Sequence, residues 1–271
     1  MNDKDERIEV LEAKIAAMQA KCKASEQALE TEREARHAFV SLVTHELRTP
    51  MTSIRGYTDL LLAEAVGEIN DAQENFLHTI RSNVMRMSTL VSDLADVARI
   101  ESGRLRIEFS SVEVKDMVQE VVSSQAAELS EKRQTVNIQI PEVLNPVWGD
   151  RLRLIQVMTN LVNNAHKYSP FGSEITIAAS RQENYWDPEG AADMVLVSVH
   201  DMGIGMSEDD QKHIFTKFFR SSDPKARDAS GTGLGLNISQ NLVEMQGGKI
   251  WFESKLGQGT TFFFTIPVVE G

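Results

Sequence analysis

His45-Glu46-Leu47-Arg48-Thr49-Pro50 sets an imidazole, a carboxylate, a guanidinium and a hydroxyl side by side on one stretch of helical pattern. Around it, Phe39, Leu42, Val43, Leu47, Ile54, Leu60 and Leu61 supply an apolar face for a helix over 37–66. Ser41, His45, Arg48, Thr49 and Thr52 fall on the opposite, polar stripe, which points His45 into solvent. Pro50 removes a helix hydrogen bond and crowds the carbonyl of Glu46. A proline inside a helix costs about 3 kcal/mol, so its place beside His45 calls for a local reason. Gly67 and Asn70-Asp71 mark a turn. A second amphipathic helix follows, carrying Phe76, Ile80, Val84, Met87, Val91, Leu94 and Val97, and it closes at Ser102-Gly103. Two long helices and a short loop make an antiparallel hairpin. A lone hairpin cannot bury its apolar stripe, whereas two copies can as a four-helix bundle. Packing alone therefore predicts a homodimer.

Upstream, residues 1–36 lack Gly and Pro and are rich in strong helix formers. Ile8, Leu11, Ile15, Met18 and Cys22 hold heptad spacing before the seam shifts toward Ala28, Ala35 and Leu42. The pattern predicts a coiled coil with a phase change. Cys22 is the only cysteine, which excludes an internal disulfide and fits a reducing compartment. The charged start MNDKDERIEV does not read as a signal peptide, and no apolar run reaches the ~20 residues of a membrane span. With 28 basic against 40 acidic residues, the net charge of -12 argues against nucleic-acid binding and against an anionic membrane surface. An anionic ligand would need locally placed cations.

Downstream of about Leu105 the texture changes. Strands are expected at 105–109, 135–140, 174–181, 194–201, 248–254 and 260–267, and helices at 113–130, 151–167, 207–218 and 235–246. The last four strands read as meander-like pairs in a mixed sheet, giving an α+β class. Residues 184–193 read as an exposed hairpin loop and 219–232 as a polar, mobile lid. Three domains result: 1–36, 37–103 and 104–271.

Within the third domain, Asn160 and Asn164 share one helical face and Lys167 follows a turn later. An Asn oxygen is a hard ligand suited to Mg²⁺, and Lys167 is the local cation that the net charge withholds. Asp201 ends an apolar strand before Gly203 and Gly205, where an Asp is ordinarily a turn residue. Gly231-Thr232-Gly233-Leu234-Gly235-Leu236 opens a helix, and such a turn can cradle phosphate through backbone N–H groups. It is neither a Walker loop nor a dinucleotide-binding turn. Phe215 and Phe218 have the spacing of lid-helix core residues.

HELRTP, the Asn160/Asn164 helix, Asp201-x-Gly-x-Gly and GTGLGL, in that order from about Arg36 onward, resemble the boxes of sensor histidine kinases of two-component systems. The resemblance implies a phosphotransfer hairpin followed by an α+β sandwich of the Bergerat type. It implies His45 as phospho-acceptor, Glu46 as its assistant, and Thr49 at the position that orients water in a phosphatase reaction, which the sequence leaves open. It implies Asn164 on Mg²⁺, Asn160 beside the phosphates, and Lys167 and Tyr168 on the phosphate and ribose side. Asp201 would accept from the adenine amino group, with Gly203 and Gly205 letting backbone approach the base. Gly231, Gly233, Leu234 and Gly235 would border the phosphates, Arg220 would reach them from the lid, and Gly257, Gly259 and Thr260 would lie near the base. His37, His78, His166, His200 and His213 lack such a setting.

The implied activity is autophosphorylation of His45 by ATP with Mg²⁺, then transfer to an Asp of a response-regulator receiver domain. Domain motion about residues 99–106 would join the two sites, driven through the coiled coil by an upstream sensor domain or sensor protein. The chain would be cytoplasmic, or the cytoplasmic portion of a larger membrane-attached sensor, with no direct membrane contact of its own. The alternatives are an ATP-driven clamp, which gives HELRTP no role, a protein-serine kinase of the anti-sigma type, which lacks the hairpin, and a non-catalytic dimeric scaffold.

Overall fold

The computed structural model describes residues 42–183, 193–221, 223 and 231–269, together with 18, 19, 21, 23 and 40. Most of the coiled coil expected over 1–36, of the loop expected over 184–193 and of the lid expected over 219–232 lies outside the described residues. The chain divides into two compact units after Leu105.

In the first unit, helix α1 (42–62) and helix α2 (Asp71–Glu101) form the hairpin. Helix α1 ends four residues before the expected 66, because the chain turns at 63–66 with Glu64 at φ 53°. Asn70 starts α2 with a reciprocal cap: its Oδ1 accepts from Gln73 N at 3.0 Å, and Gln73 Oε1 accepts from Asn70 N at 2.9 Å. At the other end Gly103, at φ +63°, lets Arg104 N reach back to the Arg99 carbonyl at 3.0 Å. Arg81 and Asp59 bridge the helices at 3.0 Å. Among the described hairpin residues, only Met51, Val84, Ala95 and Val97 are buried apolar side chains. Ile54, Leu60, Phe76, Ile80 and Met87 stay exposed.

The second unit is a two-layer sandwich. Its sheet contains β2 (Thr135–Gln139), β4 (Glu174–Gln182), β5 (Met194–Asp201), β6 (Ile250–Ser254) and β7 (Thr260–Pro267), in the order β2-β4-β5-β7-β6. Only β2 and β4 run parallel, so the sheet is mixed as expected. Helices α3 (Val114–Ser124), α5 (Arg151–Tyr168) and α7 (Gly235–Glu244) form the second layer, with α5 packed between α3 and α7. Leu154, Val157, Met158, Leu161 and Val162 of α5 meet Val195, Val197 and Val199 of β5 in the core.

Several local expectations fail for identifiable reasons. Residues 105–109 are not a strand: the Glu108 N–H donates to Asp150 Oδ2 at 3.0 Å, and strand β1 is Ser110–Val112, paired with the unexpected β3 (Val147–Gly149). The helix expected over 113–130 is two, α3 and α4 (Ala126–Glu131), because Gln125 leaves helical dihedrals at φ −103° and ψ 4°. Helix α6 (Glu208–His213) ends five residues short of 218, where Phe218 takes φ +62°. Phe218 is therefore exposed rather than a core residue, while Phe215 packs on Phe252 at 5.9 Å.

Candidate functional site

On the hairpin, α1 holds His45 with its side chain 78% exposed, beside Glu46 at 72%. His45 Nδ1 lies 3.6 Å from Glu46 Oε1, just beyond a hydrogen bond. A carboxylate on that side favours a proton on Nδ1, which leaves the other ring nitrogen as a nucleophile facing solvent. Thr49 is exposed one turn on, and its carbonyl accepts from Ser53 Oγ at 3.3 Å. Pro50 sits within the continuous helix. The fold brings the facing helix beside His45, which the motif alone does not announce. Thr44, Arg48, Arg99, Ser102 and Arg104 line a cleft with it, and only the i+3/i+4 spacing of Ala95, Ala98, Arg99 and Ser102 foreshadowed that face.

In the sandwich, α5 carries Asn160, Asn164, Lys167 and Tyr168, all half-buried. Its start is fixed by Asp150, whose Oδ1 accepts from Leu152 N at 3.0 Å and Arg153 N at 3.2 Å. Asn160 Nδ2 donates to Ser239 Oγ on α7 at 2.9 Å. A Cβ at Gly235 would lie 2.3 Å from Asn160 Oδ1, so the glycine is what lets α7 begin against α5. Ser239, four residues after Gly235, is a site neighbour that no motif announced.

Lys167 Nζ donates to Tyr168 Oη at 2.9 Å, and a Cβ at Gly231 would stand 2.9 Å from it. Burial, with a smaller push from Arg220, lowers the Lys167 ammonium to about 8. Burial raises the Tyr168 phenol, and Arg220 opposes that shift. Arg220 thus acts electrostatically on both residues.

Asp201 closes β5 and is buried. It accepts the Gly203 N–H at 2.8 Å. Burial pushes its carboxyl up to about 6, against the lowering effects of the Gly203 and Thr260 backbone N–H groups and of His200. Gly203 fits between Asp201 Oδ1 and the Tyr168 carbonyl, which its Cβ would approach to 2.6 and 2.8 Å. Gly205, at φ +65°, lies against the Lys255 carbonyl, and the Gly257 N–H donates to the Ile204 carbonyl at 2.7 Å. A Cβ on Gly259 would meet the Asp201 carbonyl at 2.0 Å, which seats Thr260 opposite Asp201 in the β5–β7 register. Gly233, at φ +72°, abuts Phe218 and Phe219, and Leu234 is buried behind it.

Asn160, Lys167, Tyr168, Arg220, Gly231 and Gly235 are therefore linked along one edge of α5, and Asp201, Gly203 and Thr260 meet its C-terminal end. Asn164 lies on α5 between Asn160 and Lys167. A buried carboxyl raised to about 6 and a ring of glycines at contact distance suit a flat, hydrogen-bonding ligand with an anionic tail.

Residues 149–270 match the family described as histidine kinase-, DNA gyrase B-, and HSP90-like ATPase, and residues 35–103 match the His Kinase A (phospho-acceptor) domain. The chain belongs to the sensor histidine kinases. The kinase is 32% identical to the sensor histidine kinase WalK of Bacillus subtilis over 87% of its own chain and 37% of that protein. It is 33% identical to the signal transduction histidine-protein kinase BarA of Escherichia coli, over 84% of this chain and 24% of that one. The chain thus spans well under half of these relatives. Its fold is like that of full-length ShkA solved in complex with AMPPNP, with a TM-score of 0.68 at 24% identity over 86% of this chain and 46% of that one. The Acinetobacter baumannii histidine kinase AdeS gives a TM-score of 0.56 at 22% identity, covering 83% of this chain and 98% of that one.

Proposed function

We propose that the kinase phosphorylates its own His45 from ATP and passes the phosphoryl group to an Asp of a response-regulator receiver domain. The observation that carries the reading is the exposed His45–Glu46 pair on a phospho-acceptor hairpin in the same chain as a glycine-lined ATPase site. In the reaction, the free imidazole nitrogen attacks the γ-phosphorus, the bond to the ADP oxygen breaks, and Glu46 takes the ring proton. Asp201 accepts from the adenine amino group. Lys167, Arg220 and the N–H groups at the start of α7 hold the phosphates.

Mg²⁺ fits this donor set. Asn164 offers a half-buried amide oxygen between Asn160 and Lys167 on α5. That suits an ion that one protein oxygen shares with phosphate and water, and its chemistry would be neutralising the transferring charge. Thr49 is proposed to orient water when the kinase acts as a phosphatase. The exposed Ile54, Leu60, Phe76, Ile80 and Met87 support a homodimer in which two hairpins close one bundle. No helix among the described residues is long and apolar enough to cross a membrane. An upstream sensor domain or protein and a cytoplasmic setting complete the proposal.

The test is incubation with Mg²⁺ and γ-labelled ATP. Acid-labile, alkali-stable label on the native chain, absent from His45→Gln and from Asn164→Ala, is the expected result. Hydrolysis of ATP without label would favour a clamp ATPase, and nucleotide binding with neither would favour a scaffold.

A further inference from the structure

Beside His45, α1 and α2 part around a cleft of about 270 Å³. Ala95 and Ala98 give it a small-residue floor, and Thr44, Arg48, Arg99, Ser102 and Arg104 surround it. The Thr44 hydroxyl is the anomaly. The residue is only 6% exposed, and its buried Oγ1 has no hydrogen-bond partner. Four other threonines of this hairpin, Thr52, Thr58, Thr79 and Thr89, donate to the carbonyl one turn back. Leaving a hydroxyl buried and unpaired costs about 1–3 kcal/mol, so an atom from elsewhere is expected to meet it.

The charge around the cleft says what kind of atom. Arg48, Arg99 and Arg104 bring guanidinium groups, whose planar forks match phosphate oxygens. Ser102 Oγ is already committed to the Ala98 and Arg99 carbonyls, at 2.9 and 3.1 Å, so Thr44 is the hydroxyl left to donate. Acidic groups stand nearby as well: Asp96 lies 3.9 Å from Arg99 Nη1, and Glu46 flanks His45. They leave the arginines in excess. His45 itself forms part of the wall.

We propose that this cleft is a phosphate seat. Thr44 donates to a phosphoryl oxygen while Arg48, Arg99 and Arg104 neutralise the dianion, and the phosphoryl group on His45 is held there until it is transferred. The identity of that phosphoryl group rests on the kinase reading; free inorganic phosphate has the same chemistry and would take the same place.

The experiment has two arms on the full chain. In the first, the labelled native chain is freed of nucleotide and the half-life of the label is compared with Thr44→Val and Thr44→Ser. Loss of the hydroxyl is expected to shorten the half-life about tenfold, the scale of one hydrogen bond to a charged group, and serine is expected to restore it. In the second, inorganic phosphate is titrated into unphosphorylated ¹⁵N-labelled protein, with shifts expected at the Thr44 and Ser102 amides and lost in Thr44→Val. Arg104→Gln, at an exposed turn, repeats both arms should Thr44→Val fail to fold. A shortened half-life assigns the seat to phosphohistidine; phosphate shifts with an unchanged half-life assign it to free phosphate. An unchanged half-life with no shifts overturns the seat. A native chain that takes no label removes the kinase reading and leaves the phosphate titration to decide the seat on its own.

Discussion

On the hairpin the candidate chemistry sits on one exposed side chain, while in the sandwich it is built largely from backbone. His45 stands 78% exposed on a helix whose hydrogen bonds do not involve its ring. Gly205, Gly233, Gly235 and Gly259 lie where a single added carbon would overlap a carbonyl or an amide of the same site. A site made from a projecting side chain can be removed without disturbing what supports it. A site made from backbone in contact with backbone cannot, so its function and its stability should fail together.

The largest effect should come from the hairpin side. His45→Gln is expected to abolish label from γ-labelled ATP by about three orders of magnitude or more, while the urea midpoint shifts by no more than the equivalent of about 0.5 kcal/mol, as for an exposed helix position. ATP affinity, read by titration, should be unchanged. A marked loss of stability would break the contrast by showing that His45 also holds the hairpin. Next in size is the backbone side. Gly205→Ala must add a carbon 2.0 Å from the Lys255 carbonyl at φ +65°. Unfolding in urea should reveal a loss of about 2–4 kcal/mol, with ATP binding falling in parallel. Lost binding at full stability would put Gly205 in the same class as His45.

The same contrast explains what could be read from the sequence. Side-chain chemistry announces itself, so His45, Glu46, Asn160, Asn164 and Asp201 stand out by type and spacing, and the mixed sheet follows from strand alternation. Contacts between distant segments do not. Leu105, Ile107 and Phe109 alternate like a strand, yet the carboxylate of Asp150 takes the Glu108 N–H that a ladder would need. Phe218 has helical spacing to Phe215, but its left-handed backbone answers to the close approach of Gly233. Thr44 reads as one more polar helix residue until α2 is folded over it.

A third test sharpens the contrast by titration. In its proposed role on the adenine amino group, Asp201 accepts most strongly when ionised, and burial raises it to about 6. In its proposed role on the phosphates, Lys167 holds them as the charged ammonium, and burial lowers it to about 8. ATP affinity should therefore be greatest between those values and should fall by up to about tenfold per pH unit on either side. Isothermal titration across pH 5–9 checks this, with Asp201→Asn expected to flatten the acid limb. The linkage also predicts stability. The folded Asp201 keeps its proton up to about 6, whereas the unfolded one releases it near 3.8, so the empty domain loses stability as pH climbs between them. Asp201→Asn should then bind ATP less well at neutral pH yet unfold later. An acid limb that survives in Asp201→Asn would place the titrating group elsewhere.

The smallest effect returns to the hairpin. With few buried apolar side chains of its own, the described hairpin depends on local terms, and the reciprocal cap between Asn70 and Gln73 is the clearest of them. Asn70→Ala leaves the Gln73 N–H without its acceptor and should cost about 1 kcal/mol per hairpin. In a dimeric bundle two caps are lost per folding unit, so the midpoint should shift further than one cap predicts and should depend on protein concentration. The probes separate cleanly, because Trp148, Trp186 and Trp251 all lie beyond the hairpin. Tryptophan fluorescence should follow the sandwich unchanged, while the helical circular dichroism signal loses its hairpin component earlier. If both signals moved together, the two units would unfold as one, and the separability that distinguishes His45 from the glycines would have to be sought in binding rather than in stability.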